Sequence, residues 1–354
     1  MSLTGAARAR APRQAPSPAV RVAEPEGPEH PVRTKGSDDR AVAPSRPARL
    51  DPAHYEPARV PREVRRHAAV PDTLPVGHAG KVGLLELTFE RRAERTELTG
   101  HFQKTPLQIM RPLYYDPARP DLPITQVMST GGGILQGDRL RIDVTCGPGA
   151  ATHLTTQTAT RVHRMEFDYA TQQVAVDAGA DSYVEYLPDP TIPYGGARYY
   201  QRTTVTADAT ATVLAAETLY AGRLARDERH AYEVFASDVE IRRPDGALLA
   251  VDAMRLEPGA APVTGLAVLG GHDIVSTFYV VTARAPAAAV ADTLHEALAD
   301  SPALFGVSVL PGDSGAWLRL LTDDPRTAAS ALRLAWDAVR RLLIGVPAPA
   351  MRKP

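Results

Sequence analysis

From Val82 to about residue 282, apolar side chains recur at every second position, a period that fits strands and not helices. Leu85, Leu87 and Phe89 alternate with Glu86, Thr88 and Glu90. Leu140, Ile142 and Val144 alternate with Arg139, Arg141, Asp143 and Thr145. Further strand-like runs cover 172–177, 182–187, 199–206, 212–219, 232–241, 247–254 and 274–282. Turn signals punctuate them: Gly147-Pro148-Gly149, Asp177-Ala178-Gly179, Pro244-Asp245-Gly246 and Pro258-Gly259. The spacing predicts a mainly β body over 77–282.

The period then changes, which predicts an α+β part over 283–354. Ala287 to Ala299 reads as a helix, with Val290, Leu294 and Leu298 on one face. Strands are expected at 304–310 and 316–321. Asp324 caps a second helix, with Pro325 at its first position. Leu332, Trp336, Val339 and Leu343 form its apolar stripe, and Gly345 and Pro347 end it.

Residues 1–76 lack this patterning. They hold 13 of the 32 prolines and a single aromatic residue, Tyr55. So little apolar side chain cannot offset the entropy of ordering, which predicts a disordered Pro/Ala/Arg-rich extension. Glu24, Glu26, Glu29, Asp38 and Asp39 alone are too many acids for a transit peptide. No apolar run suits a signal peptide or a membrane span. One cysteine, Cys146, excludes internal disulfides and multi-cysteine zinc sites, and it fits a reducing compartment. A net charge of −1 does not suit a general nucleic-acid binder.

Two motifs invite enzymatic readings. Gly-Asp-Ser-Gly at 312–315 resembles the nucleophile segment of trypsin-like proteases, but no accompanying histidine segment precedes it. Between two short strands it reads as a turn. Gly131-Gly132-Gly133 resembles a phosphate loop, yet a period-two strand follows where a phosphate loop needs a helix N-terminus. The ten histidines form no His-x-His or His-x-x-x-His pair, so no preformed zinc site is expected.

Three acids stand out by parity. Asp138 shares a strand face with Leu140, Ile142 and Val144. Glu217 shares one with Val213, Ala215 and Leu219, and Asp252 with Leu248, Ala250 and Met254. Inward carboxylates are costly unless paired or wet. Parity leaves two readings open: separate ion pairs with Arg139, Arg223 or Arg255, or one acidic interior path for a divalent cation.

A series of motifs carries a family resemblance. Gly132-Gly133-Ile134-Leu135-Gln136-Gly137-Asp138-Arg139-Leu140 resembles the Gly-Gly-Ile-Val-Gly-Gly-Asp-x-Leu signature of the UreD (UreH) urease accessory proteins. Leu154-Thr155-Thr156-Gln157-Thr158-Ala159-Thr160-Arg161-Val162-His163-Arg164 is similar to that family's Leu-Thr-Thr-Gln-x-Ala-x-Lys-x-Tyr-Arg. Glu185 to Tyr194, Gly195-Gly196-Ala197-Arg198 and Gly222-Arg223 follow in family order. Upstream, Pro106 to Tyr114 looks like Pro-Leu-x-Val-Gln-Arg-Pro-Phe-Tyr, and Trp336 to Pro347 looks like the closing helix. The departures are Gln136 for Gly, His163 for Tyr, and a different extreme C-terminus.

The resemblance covers roughly 80–346 and implies a stacked, β-helix-like array of short strands with two C-terminal helices. It implies a non-enzymatic scaffold or chaperone for metallocentre assembly in nitrogen metabolism. Such a scaffold, in the cytoplasm, would bridge urease apoprotein with UreF and UreG. Nickel(II) would be held only transiently, with no permanently bound cofactor. By motif position the family's channel acids fall on Asp138, Glu217 and Asp252, with Thr160 in the polar segment, the same acids that parity selects. The alternatives are a β-rich interaction module without metal traffic, or a hydrolase using Ser314.

Overall fold

The computed structural model describes residues 48–69 and 80–351. In chain order the elements are α1 (Arg62–Arg65), β1 (Val82–Arg92), β2 (Arg95–Lys104), β3 (Leu107–Gln108), β4 (Ile124–Ser129), β5 (Arg139–Cys146), β6 (Ala151–Thr156), β7 (Thr160–Val162), β8 (Ala170–Ala178), β9 (Tyr183–Tyr186), β10 (Thr191–Pro193), β11 (Arg198–Ala207), β12 (Thr212–Tyr220), β13 (Val234–Arg242), β14 (Leu248–Leu256), β15 (Ile274–Val281), α2 (Ala287–Ala297), β16 (Leu304–Val309), β17 (Gly315–Thr322) and α3 (Pro325–Ile344).

The strands build two sheets. The first runs β14-β13-β11-β8-β5-β1-β2; the second runs β16-β17-β15-β12-β9-β6-β4-β3, with β10 and β7 attached at β12. From β4 to β13 the chain shuttles between the sheets, adding parallel neighbours: β4, β6, β9 and β12 in one, β5, β8, β11 and β13 in the other. This is the stacked, helix-like array that the resemblance implies, and the fold is mainly β.

Period two sorts each strand between cores. On β12, Val213, Ala215 and Leu219 pack between the sheets, while Leu214 and Ala216 face the helices. β15 does the same: Val275, Tyr279 and Val281 point inward, and Ile274, Phe278 and Val280 point to the helices. Both faces are therefore covered, and all eight residues of β15 are buried. Helix α3 begins at Asp324, whose carboxylate accepts from Arg326 N (3.2 Å) and Thr327 N (2.9 Å). It ends at Gly345 with φ 72°, a backbone conformation that favours glycine. Ala328, Ala331, Ala335, Trp336, Val339 and Leu343 form its buried face. No helix among the described residues is long and apolar enough to cross a membrane.

One expectation needs correction. Residues 48–69 are folded onto the body, not disordered. Val64 on α1 is fully buried against Tyr169, Tyr200, Val234 and Ala236 on the outer face of the first sheet. Tyr55 is also buried, and its hydroxyl donates to the Arg49 carbonyl (2.7 Å). Arg141 donates to the His54 carbonyl, and Arg139 pairs with Glu56 (2.8 Å). The buried Tyr55, Pro57, Pro61 and Val64 anchor the segment, and the bonds from Arg139 and Arg141 tie it to the sheet. The remainder of the expected extension, 1–47 and 70–76, lies outside the described residues.

Candidate functional site

The space between the sheets is not filled. A cavity of about 230 Å³ opens under the Thr156–Arg161 segment, which includes Thr160. Gly132 and Gly133 of the signature line it, as do Tyr186, Asp189, Gln201, Thr203 and Glu217. A second cavity of about 10 Å³, room for about one water, lies beside it. Gln201, Ser237, Thr277, Glu217 and Asp252 line this one. Gln201, Glu217 and Thr218 line both, so the two cavities meet at Glu217.

Glu217 lies deep among protein atoms, and its remaining accessible surface opens onto the cavities that it lines. Thr203 Oγ1 donates to Oε1 (2.7 Å) and Ser237 Oγ donates to Oε2 (2.8 Å). Among the described residues no cation pairs with it. Burial pushes its carboxyl above the ordinary glutamate range, and the negative charge of Asp252 adds to that; the hydroxyl donors oppose it. β12 places Glu217 here because it alternates with the helix-facing Ala216 and Thr218.

Asp252 borders the small cavity from β14, the edge strand of the first sheet. It accepts from the Tyr279 hydroxyl (2.5 Å) and pairs with Arg319. Ala250 and Met254 share its inward face, as parity requires. Leu248 does not: it is 60% exposed, because a bulge between Ile241 and Arg242 shifts the β13–β14 register.

Asp138 does face inward and is 1% exposed, but it lines neither cavity. Its oxygens accept from Lys81 N (2.9 Å) and Leu135 N (2.9 Å). It clamps the start of β1 to the signature loop. The structure thus brings together Glu217, Asp252 and Thr160, and sets Asp138 apart. In the same loop Gly133 has φ 145°, and a Cβ there would meet the Arg161 carbonyl and the His163 ring at 2.7 Å. Gln136, unusual for the motif, accepts from the Glu166 and Phe167 amides (2.7 and 2.8 Å) and so ties the loop to its neighbour.

The three arginines considered as partners are engaged elsewhere. Arg139 pairs with Glu56 and Asp168, Arg223 with Glu228, and Arg255 with Asp238. The Ser314 hydroxyl donates to the Pro311 carbonyl (2.7 Å), and Asp313 accepts from Ala287 N (2.7 Å) at the start of α2. Both residues of the protease-like motif are thereby accounted for as a turn. Cys146 is buried, which pushes its thiol up to about 12 and leaves no thiolate at neutral pH.

Two further polar groups were not singled out by sequence. Glu185, His153, Arg340 and Asp116 form a buried cluster on the helix side of the second sheet, each at most 2% exposed. Glu185 Oε2 lies 2.7 Å from His153 Nδ1; its Oε1 accepts from Tyr183 (2.7 Å) and Trp336 Nε1 (3.0 Å). Arg340 lies 3.6 Å from Glu185 and donates to Asp116 (2.7 Å). Burial alone would raise Glu185, but His153, Arg340 and Trp336 outweigh it and hold the carboxyl below its ordinary range. The motif Glu185-Tyr186-Leu187-Pro188 carried the only sequence signal. The second group, His54, Glu86 and Asp143, gathers ligand-type atoms within 4.8 Å on the outer face of the first sheet. Arg49 already holds Glu86 and Arg141 already holds Asp143, so both carboxylates are neutralised.

Comparison with known proteins adds an independent line. The family described as UreD urease accessory protein matches residues 81–354. The protein named urease accessory protein UreD 2 of Streptomyces griseus is 56% identical over 289 residues, 81% of this chain and 99% of the relative. UreD 3 of Methylorubrum populi is 38% identical, covering 82% of this chain and 94% of the relative. The UreD of Haloarcula marismortui is 37% identical, with 80% and 94% covered.

Proposed function

The chain belongs to the UreD urease accessory protein family, and from that premise we propose that it assists urease maturation by passing nickel(II) between its two sheets. The observation that carries the reading is Glu217: a deep carboxylate that has no cationic partner among the described residues, where two cavities meet. A buried carboxylate that lacks a cation is costly, and an arriving divalent cation removes that cost. Nickel(II) accepts carboxylate, hydroxyl and water oxygens. A conduit must also release its cargo, so one acid with neutral hydroxyls around it suits better than a closed cage.

In this reading Thr160 and its segment form the wide mouth, Glu217 is the midpoint and Asp252 is the narrow end. Asp138 holds the signature loop in place beside the mouth and takes no direct part. The chain performs no turnover of its own, and Ser314 is a turn residue. Urease apoprotein, UreF and UreG are the proposed partners, in the cytoplasm. Docking such partners requires apolar surface, and edge strands β14 and β16 expose Leu248, Val251, Leu304 and Val309.

The reading is tested by producing the urease subunits with UreF and UreG, with and without this chain. Metal analysis of the purified urease should find nickel-poor enzyme when the chain is missing. Equal nickel content in both preparations would refute the role.

A further inference from the structure

The narrow end of the path is already occupied by a cation. Asp252 is neutralised by Arg319 of β17, and the same guanidinium donates from Nε to Thr277 Oγ1 (3.2 Å). The register explains why. Glu217 on β12 pairs with Thr277 on β15, Thr277 pairs with Arg319 on β17, and Arg319 pairs with Gly306 on β16. These four residues form one lateral row across the second sheet, facing the first. At the usual strand spacing the backbones of Glu217 and Arg319 are roughly 10 Å apart. Trp317 and Leu321, the neighbours of Arg319 with its parity, pack into the core between the sheets, which confirms the face.

A fixed positive charge beside Asp252 repels a divalent cation and withdraws the carboxylate that would hold it. The Arg319 side chain is nevertheless 37% exposed, and that of Asp252 is 26% exposed, so their pairing sits at the boundary with solvent. Pairs this exposed are weak enough to open. Next in the row, Gly306 lies exposed on the edge strand β16, and a Cβ built there meets nothing within 4 Å, so the row ends in open solvent. The guanidinium therefore has somewhere to go when it leaves Asp252.

We propose that Arg319 is a retractable electrostatic gate, which closes the Asp252 end of the interior path to divalent cations until it swings out over Gly306 into solvent. The inference rests on the proposed path through Glu217. Arg319 selects against premature loss of the cargo, and Tyr279 keeps Asp252 oriented while the gate is open, through its own hydrogen bond.

The test titrates nickel(II) alone into the full-length protein by calorimetry. Arg319→Gln should bind nickel about two- to fivefold more tightly than the unaltered chain, the order of effect expected for one partly exposed charge. Adding Asp252→Asn to that variant should abolish the gain. Arg319→Lys keeps the charge and should bind like the unaltered chain. Gly306→Val, which places a side chain in the way of the outward swing without touching the pair, should slow nickel association several-fold in stopped-flow measurements, and the melting temperature of each variant separates misfolding from gating. Unchanged affinity in Arg319→Gln, with binding still lost in Glu217→Gln, would overturn the gate and leave the path standing. No nickel binding in any variant, Arg319→Gln included, would overturn both.

Discussion

Glu185, fully buried, and Glu217, half-buried at the cavities, are acids on neighbouring strands of the second sheet, and their surroundings are opposite. Glu185 faces the helices, where His153, Trp336, Tyr183 and Arg340 surround it closely and hold its carboxyl below the ordinary range. Glu217 faces the other sheet, has hydroxyls but no cation, borders two cavities, and is pushed above that range. A carboxylate with its countercharge built in contributes to structure. One left short of charge beside empty space is arranged for a charge that arrives. The partners separate the two.

The largest effect should follow from removing the paired acid. Glu185→Ala leaves His153 buried without its carboxylate partner and Arg340 with Asp116 alone, which should cost about 3–5 kcal/mol. Thermal unfolding should show a midpoint lower by about 6 °C or more, at about 2–4 °C per kcal/mol for a domain of this size. A midpoint within about 2 °C would break the comparison, because Glu185 would then be as dispensable as Glu217 is argued to be.

Asp138 sharpens the comparison, since parity groups it with Glu217 and its bonds group it with Glu185. Asp138→Asn turns one acceptor into a donor facing the Lys81 or Leu135 amide, which should cost about 1–3 kcal/mol. The drop should be visible in denaturant midpoints. Lowered nickel delivery at full stability would instead place Asp138 on the path.

Glu217→Gln should have the smallest effect on stability, and its pH dependence carries the sign. The folded protein holds the Glu217 proton to higher pH than the unfolded chain does, where the group titrates near 4.5. Above that value the folded state binds more protons, so its stability falls as pH rises through the window up to the raised value. Glutamine has no such loss. Relative to the unaltered chain, the variant should therefore gain in melting temperature between pH 4 and pH 8. A relative loss over that range would mean that a cation, unseen here, stabilises the ionised form.

These differences were only partly legible in the sequence. Period two alone places Glu217 inward, because its inward neighbours Val213, Ala215 and Leu219 alternate with residues that face the helices. It also places Asp252 inward, but it misplaces Leu248, because a bulge resets parity without any glycine or proline to announce it. Parity could not show that Asp138 is used up on Lys81, 57 positions away. Nor could it show that Glu185 meets Trp336 and Arg340, which come more than 150 residues later on α3. Those are tertiary facts. The segment 48–69 is hidden for a related reason: it has few large apolar side chains, yet Tyr55 and Val64 are both buried in the fold. The family motifs located the signature loop, but not which of its polar groups are free to act.

The central claim is that Glu217 serves the cargo and not the fold. The direct measurement is the nickel content of urease matured in the presence of the Glu217→Gln chain, alongside pull-down of that chain with urease. The account predicts intact association, an unfolding midpoint within about 2 °C of the unaltered chain at neutral pH or above it, and nickel content reduced several-fold. Full nickel loading by a stable, partner-competent Glu217→Gln chain would contradict it.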